Sequence, residues 1–290
     1  LKFLDLMNRI VTIIFMVTAL FMGYGLYALV IVNVMVGIVI IIVKLLYIRN
    51  NLKIKVNFKY KNKELLKEIF SFSIWMTVIS VAQRLAVSSA PTVLGIVSGS
   101  VAISVFAIGT VIEGYTWTFA NALNGLFLPK VSRMVVENQD RTKITDLMIK
   151  VGRIQLLLVG LLIVGLVSMG QEFIVLWMGK GFSESYYVVI LLVIPGIITL
   201  TQEIGNTLLV VVNEVKYRAG LFILMAVISL TISLILSPHL GAIGCGIGIF
   251  CGSIISNVIG INLVYTKILK LDVIRFFKEC HFKMYIPIFI

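Results

Sequence analysis

Apolar runs of close to twenty residues recur from one end of this chain to the other, and few folds accommodate them. A run of that length crosses the hydrocarbon of a bilayer as an α-helix, about 30 Å at about 1.5 Å per residue. The runs are continuous and lack a period of two, which excludes a strand-built barrel. Of the 290 residues, 60% are hydrophobic and 13% charged, with a mean hydropathy of +1.08. A soluble domain carries about 25% charged residues. The fold class is therefore all-α, a polytopic transmembrane helical bundle.

Eight full spans are predicted, over residues 4–22, 26–48, 69–92, 101–128, 148–170, 187–212, 217–236 and 241–265. Gly23-Tyr24-Gly25, "SGS" at 98–100, "GKGFSES" at 179–185, "NEVK" at 213–216 and "SPHLG" at 237–241 break them. The chain opens on Leu1, and residues 284–290 read as the first turns of another span. Both ends suggest a piece of a longer protein, so no cleavable leader is expected.

Charge tests the span count. Net charge is +12, and of 25 basic residues only Lys180 falls in an opposite-side loop and only Arg84 deep inside a span. The rest, Lys216 and Arg218 among them, fall in alternate loops or at the span ends that flank them, the pattern of cytoplasmic loops. Residue 1 is thus placed on the cytoplasmic side. Positive charge distributed this way needs no nucleic acid to explain it. The longest such loop, "RNNLKIKVNFKYKNKELLKE" at 49–68, reads as a basic linker dividing residues 1–48 from a six-helix portion at 69–265. No extramembrane stretch is long enough for a catalytic domain, so no enzyme, catalytic residue or cofactor is expected. Cys245, Cys251 and Cys280 lack metal-ligand spacing.

Polar residues inside the spans are the informative ones. Arg84 costs about 2.5–3.5 kcal/mol in a membrane helix, so it is expected to face the bundle interior or a wet cavity. Ser73, Thr77, Ser80, Arg84 and Ser88 share one helical face. The fourth span carries Glu113 with Thr110, Thr116, Asn121 and Asn124 roughly on its side, and the sixth carries Pro195, Thr199, Gln202, Glu203 and Asn206. Two readings stand. Arg84 pairs with Glu113 or Glu203 to lock helices, or the three faces line a hydrated chamber for polar cargo. Trp75 and Trp117 read as packing ahead of sugar stacking.

In the eighth span, Gly244, Gly248, Gly252, Ser256 and Gly260 recur every fourth residue, which lets another helix approach closely. "GCGIG" there resembles a nucleotide loop only superficially, because no strand precedes it. Residues 266–290 hold "VIRFFKECHFKMY", with apolar and basic faces, and predict a short helix on the inner surface.

Four stretches carry a family resemblance: "KELLKEIFSFSIWMTVIS", "NALNGLFLPKVSRM", "QEFIVLWMGKGF" and "SPHLGAIGCGIGIFCGSIISNVI". They are similar to the bacterial polysaccharide-export flippases, the O-antigen, teichoic-acid and capsule-unit translocases of the multidrug/oligosaccharidyl-lipid/polysaccharide superfamily. The resemblance implies a MATE-like parent of two six-helix lobes, of which this chain holds the last two spans of the first lobe and the whole second. It implies alternating access in the bacterial cytoplasmic membrane, carrying a polyprenyl-pyrophosphate-linked oligosaccharide between leaflets. It makes Arg84 a contact for the pyrophosphate. Thr77, Ser80, Glu113, Asn121, Gln202, Glu203 and Asn206 are then substrate-binding candidates, with Glu113 and Glu203 open to sugar hydroxyls or a coupling H+ or Na+. Members often carry an acidic residue in the third span, where this chain has "AQRLAVSSAPTVLG". A cation-coupled multidrug antiporter of similar architecture is the alternative: two glutamates favour it and Arg84 opposes it. A membrane polymerase or ligase needs a larger outer loop than this chain offers.

Overall fold

The computed structural model describes residues 2–23, 25–47, 62–121 and 126–284, which form helices and short turns with no strand among them. The chain divides into two compact units, Leu1–Lys63 and Glu64–Ile290.

In the first unit, α1 (Lys2–Phe21) and α2 (Gly25–Tyr47) pack against each other. Gly23 makes the turn between them at φ 79°, a backbone conformation that a Cβ disfavours. Val30, Ile31, Met35 and Ile41 of α2 are each more than half exposed. Such a surface is solvated by lipid tails and not by water. The basic stretch 49–61 and the terminal run 285–290 lie outside the described residues.

The second unit begins with α3 (Lys63–Ser88), which gives way to α4 (Ala90–Val97) where Pro91 enters the first turn. Gly99, at φ 85°, reverses the chain into α5 (Ser100–Asn121). A short amphipathic helix, α6 (Leu128–Val136), buries Val131 and Met134. The next helix, α7 (Arg141–Met178), has 38 residues, about 57 Å of rise. It runs past both ends of the predicted span at 148–170. Asp140 caps it, accepting from the Thr142 N–H at 3.3 Å, and those hydrogen bonds hold its carboxyl below the usual range.

The following span is broken. It comprises α8 (Ser185–Val193), α9 (Gly196–Thr199), a 3-10 turn at Leu200–Gln202 and α10 (Glu203–Val211). Pro195, which has no N–H to give, stands at the first break.

Residues 215–253 form α11 (Val215–Ser253), which reverses at Gly241 (φ 53°, ψ −131°), just after Pro238. Its two legs run antiparallel in near-backbone contact. A Cβ on Gly244 would lie 2.7 Å from the Leu236 carbonyl carbon, and one on Gly252 would lie 2.8 Å from the Met225 carbonyl oxygen. The glycine ladder therefore packs the helix onto its own first leg. A π-helical stretch, Ile254–Gly260, leads into α12 (Ile261–Lys267).

Among the described residues, six stretches are long and apolar enough to cross a membrane, the last of them, Val215–Lys267, containing the reversal. After α12 come α13 (Val273–Phe276) and a π-helical turn, Phe277–Phe282. The inner-surface helix expected here turns its apolar face to protein: Phe276, Cys280 and His281 are buried, and the segment packs on α7.

Candidate functional site

Within the second unit lies a cavity of about 310 Å³. Its polar lining comes from α5 (Glu113, Trp117), from the broken helix (Thr199, Gln202, Glu203, Asn206), and from the α11–α12 region (Arg218, Ser253, Asn257, Tyr265). From α3 come Gln83 and Val87.

Local structure explains this lining. The 3-10 turn at Leu200–Gln202 meets α10 at Gln202, whose backbone leaves helical geometry (φ −102°, ψ 24°), and at this junction Gln202 and Glu203 both reach the cavity. Trp117, one turn beyond Glu113 on α5, lines the cavity beside it. Tyr265 donates its hydroxyl to Asn206 Oδ1 at 2.9 Å, and Gln202 Nε2 donates to Asn262 Oδ1 at 2.8 Å. The Thr207 hydroxyl stands 3.5 Å from Glu203 Oε1. Gln202 Oε1 is buried with no hydrogen-bond partner among the described residues, an acceptor left for something the cavity can hold.

The eight residues predicted from the spans divide. Glu113, Gln202, Glu203 and Asn206 line the cavity. Arg84, Ser80 and Thr77 do not: they stand exposed on another face of α3. The hydroxyls of Thr77 and Ser80 donate to the Ser73 and Met76 carbonyls of their own helix, at 2.9 and 3.0 Å. Asn121 ends α5, and its side chain lies outside the described residues.

The expectation that Arg84 faces the interior or pairs with Glu113 or Glu203 is corrected, since it neither lines their cavity nor makes an ion pair with them among the described residues. Buried Ile79, Ala82 and Ala86 set the inward face of α3, which leaves Gln83 at the cavity rim and turns Arg84 out.

The cavity's cation is Arg218, which charge alternation assigned to a loop. It lies in the first turn of α11, on the side of Phe222 and Met225, with its guanidinium 5.5 Å from the Phe222 ring centroid. Its charge acts on Glu203. The spacing Arg218, Phe222, Met225, Ser229 was the signal for that face, because it follows the helical repeat. Among the described lining residues, two carboxylates share the cavity with one guanidinium, which leaves one negative charge unbalanced when both are ionised.

A sequence model of a polysaccharide biosynthesis protein family matches residues 1–187. The chain belongs to that family. The match takes in Thr77, Ser80, Arg84, Glu113 and Asn121 and stops before Gln202, Glu203, Asn206 and Arg218. No curated protein and no solved structure matches the chain. This polysaccharide biosynthesis protein is thus a multi-pass membrane protein with a role in polysaccharide synthesis or export.

Proposed function

We propose that this protein is a transporter and not an enzyme. It flips a polyprenyl-pyrophosphate-linked oligosaccharide across the bacterial cytoplasmic membrane by alternating access, with residue 1 on the cytoplasmic side. The cavity of the second unit is its coupling-ion site, for H+ or Na+. The observation that carries this reading is the single unbalanced charge of Glu113, Glu203 and Arg218 in a cavity of about 310 Å³. That volume stands at the bottom of the range for small-molecule pockets, about 300–1,000 Å³, and is far too small for a lipid-linked glycan. It suits one monovalent ion with its waters, and Gln202 Oε1 offers that ion an oxygen.

The glycan then takes another route. The exposed face of α3 supplies Arg84 beside the hydroxyls of Thr77 and Ser80. A guanidinium held there is accessible to an anionic headgroup and suited to bidentate phosphate contact. In cells, Glu113→Gln and Glu203→Gln should each abolish the dependence of glycan export on the ion gradient. Export that keeps its full gradient dependence in both variants refutes the coupling site.

A second reading has its own support. Trp117, Phe222 and Tyr265 line the same negatively charged cavity, a setting that suits an organic cation. Organic-cation transport in vesicles, lost in Glu113→Gln and retained in Arg84→Ala, would favour a multidrug antiporter.

A further inference from the structure

The segment after α12 is fastened to α7 through Thr145, Asp146 and Arg153. Asp272 donates its N–H to the Thr145 hydroxyl at 3.3 Å. Arg275 bridges Asp146 and Glu279, at 2.8 Å to each. Arg153 donates from Nε and Nη2 to the Glu279 carbonyl, at 3.2 and 3.1 Å. Gly152 of α7 leaves the space in which the parts meet. A Cβ there would lie 2.9 Å from Phe276 Cε2, 3.0 Å from the Thr201 carbonyl oxygen and 3.1 Å from Cys280 Sγ.

Thr201 belongs to the 3-10 turn of the broken helix, and Gln202 and Glu203 follow it directly into the cavity. His281, 3% exposed, places Nε2 3.0 Å from Thr201 Oγ1. The threonine hydroxyl has one proton and directs it to the carbonyls of Ile197 and Ile198, at 3.1 and 2.9 Å. The imidazole is therefore the donor, in its Nε2–H form. Burial pushes the His281 pKa down to about 4, so the ring stays neutral at physiological pH.

We propose that His281 is a positioning residue for the cavity. Its Nε2–H holds the Thr201 hydroxyl and thereby the turn that aims Gln202 and Glu203, so that the inner-surface segment governs the site's geometry. The proposal rests on the cavity being the coupling site.

Hydrogen exchange on the full chain in lipid nanodiscs tests it, with glycan export measured in cells. His281→Ala and Thr201→Val should each raise exchange over residues 199–203 about tenfold, as loss of one hydrogen bond does. The double variant should add nothing further. His281→Gln keeps a donor near the Nε2 position, so it should restore both exchange and export. Unchanged exchange in His281→Ala overturns the proposal, and so does an equal rise across α5 and α11, which reports general loosening. Raised exchange with undiminished export overturns the control of the site. Failure of the coupling site itself shows separately, as full gradient dependence in Glu113→Gln and Glu203→Gln with His281 intact.

Discussion

Tyr265 lies over Gly205 and reaches Asn206 in the same stroke: its hydroxyl donates to Asn206 Oδ1 at 2.9 Å, and a Cβ on Gly205 would lie 2.7 Å from its ring. One side chain of α12 thus sets both the spacing to α10 and the direction of a cavity amide. Tyr265→Phe should destabilise the protein by about 0.5–1.5 kcal/mol, because a half-buried acceptor loses its donor. Gly205→Ala should cost a similar ~1–3 kcal/mol through overpacking. Thermal unfolding of the purified protein in detergent measures both.

Arg218 stands against two glutamates. Arg218→Met removes the positive charge that acts on Glu203 and should destabilise the protein by about 1 kcal/mol, since the groups are only partly buried. Adding Glu203→Gln should recover a large part of that loss, and the same unfolding assay in the double variant checks it. A double variant no more stable than Arg218→Met would show that the two charges are not coupled.

Arg84 is exposed and away from the core, so its removal should spare folding. Arg84→Ala is expected to lower glycan export about tenfold, the worth of one charge-assisted phosphate contact. Protein abundance should stay near normal on immunoblots.

The hairpin of α11 leaves no room between its legs for a side chain at Gly248. A Cβ on Gly248 would collide with the Ser233 hydroxyl and lie 2.7 Å from the Ser229 carbonyl oxygen. Gly248→Ala should lower stability by about 1–3 kcal/mol. Gly220, whose added Cβ meets nothing within 4 Å, is the matched control and should tolerate alanine.

Acid should weaken the segment after α12 in two stages. His281 has a folded pKa of about 4, below its ordinary 6.5, so its contribution is complete above about pH 6.5 and lost as pH falls toward 4. The loss should be on the order of 2–3 kcal/mol. Glu279 follows at lower pH, because the Arg275 hydrogen bond holds its carboxyl below the usual range and that support disappears as it protonates. Stability measured between pH 7 and 4 should fall less steeply in His281→Gln than in wild type.

Much of the architecture was legible because its causes are local. Apolar runs mark the helices, and Gly23, Gly99 and Gly241 mark where backbone chemistry interrupts them, whereas the break at Pro195 falls inside the single span expected at 187–212. The glycine ladder of the eighth span announced a close helix neighbour, and that neighbour is the preceding leg of α11. Glu113, Gln202, Glu203 and Asn206 share a cavity, whereas the cation expected there, Arg84, stands outside and Arg218 takes the place. Charge alternation sorts residues by depth and says nothing about direction, so Arg218 was hidden among loop residues.

Periodicity and hydropathy alone determined that this chain is a helical membrane protein, where its helices break, and which residues share a face. They act through each helix's own hydrogen bonds and its contact with lipid, and need no distant partner. Which face of α3 turns inward, and so whether Gln83 or Arg84 meets the cavity, was decided by the packing of Ile79, Ala82 and Ala86 against helices far along the chain. The same holds for His281 and Thr201, eighty residues apart, whose contact exists because Gly152 lets three segments converge.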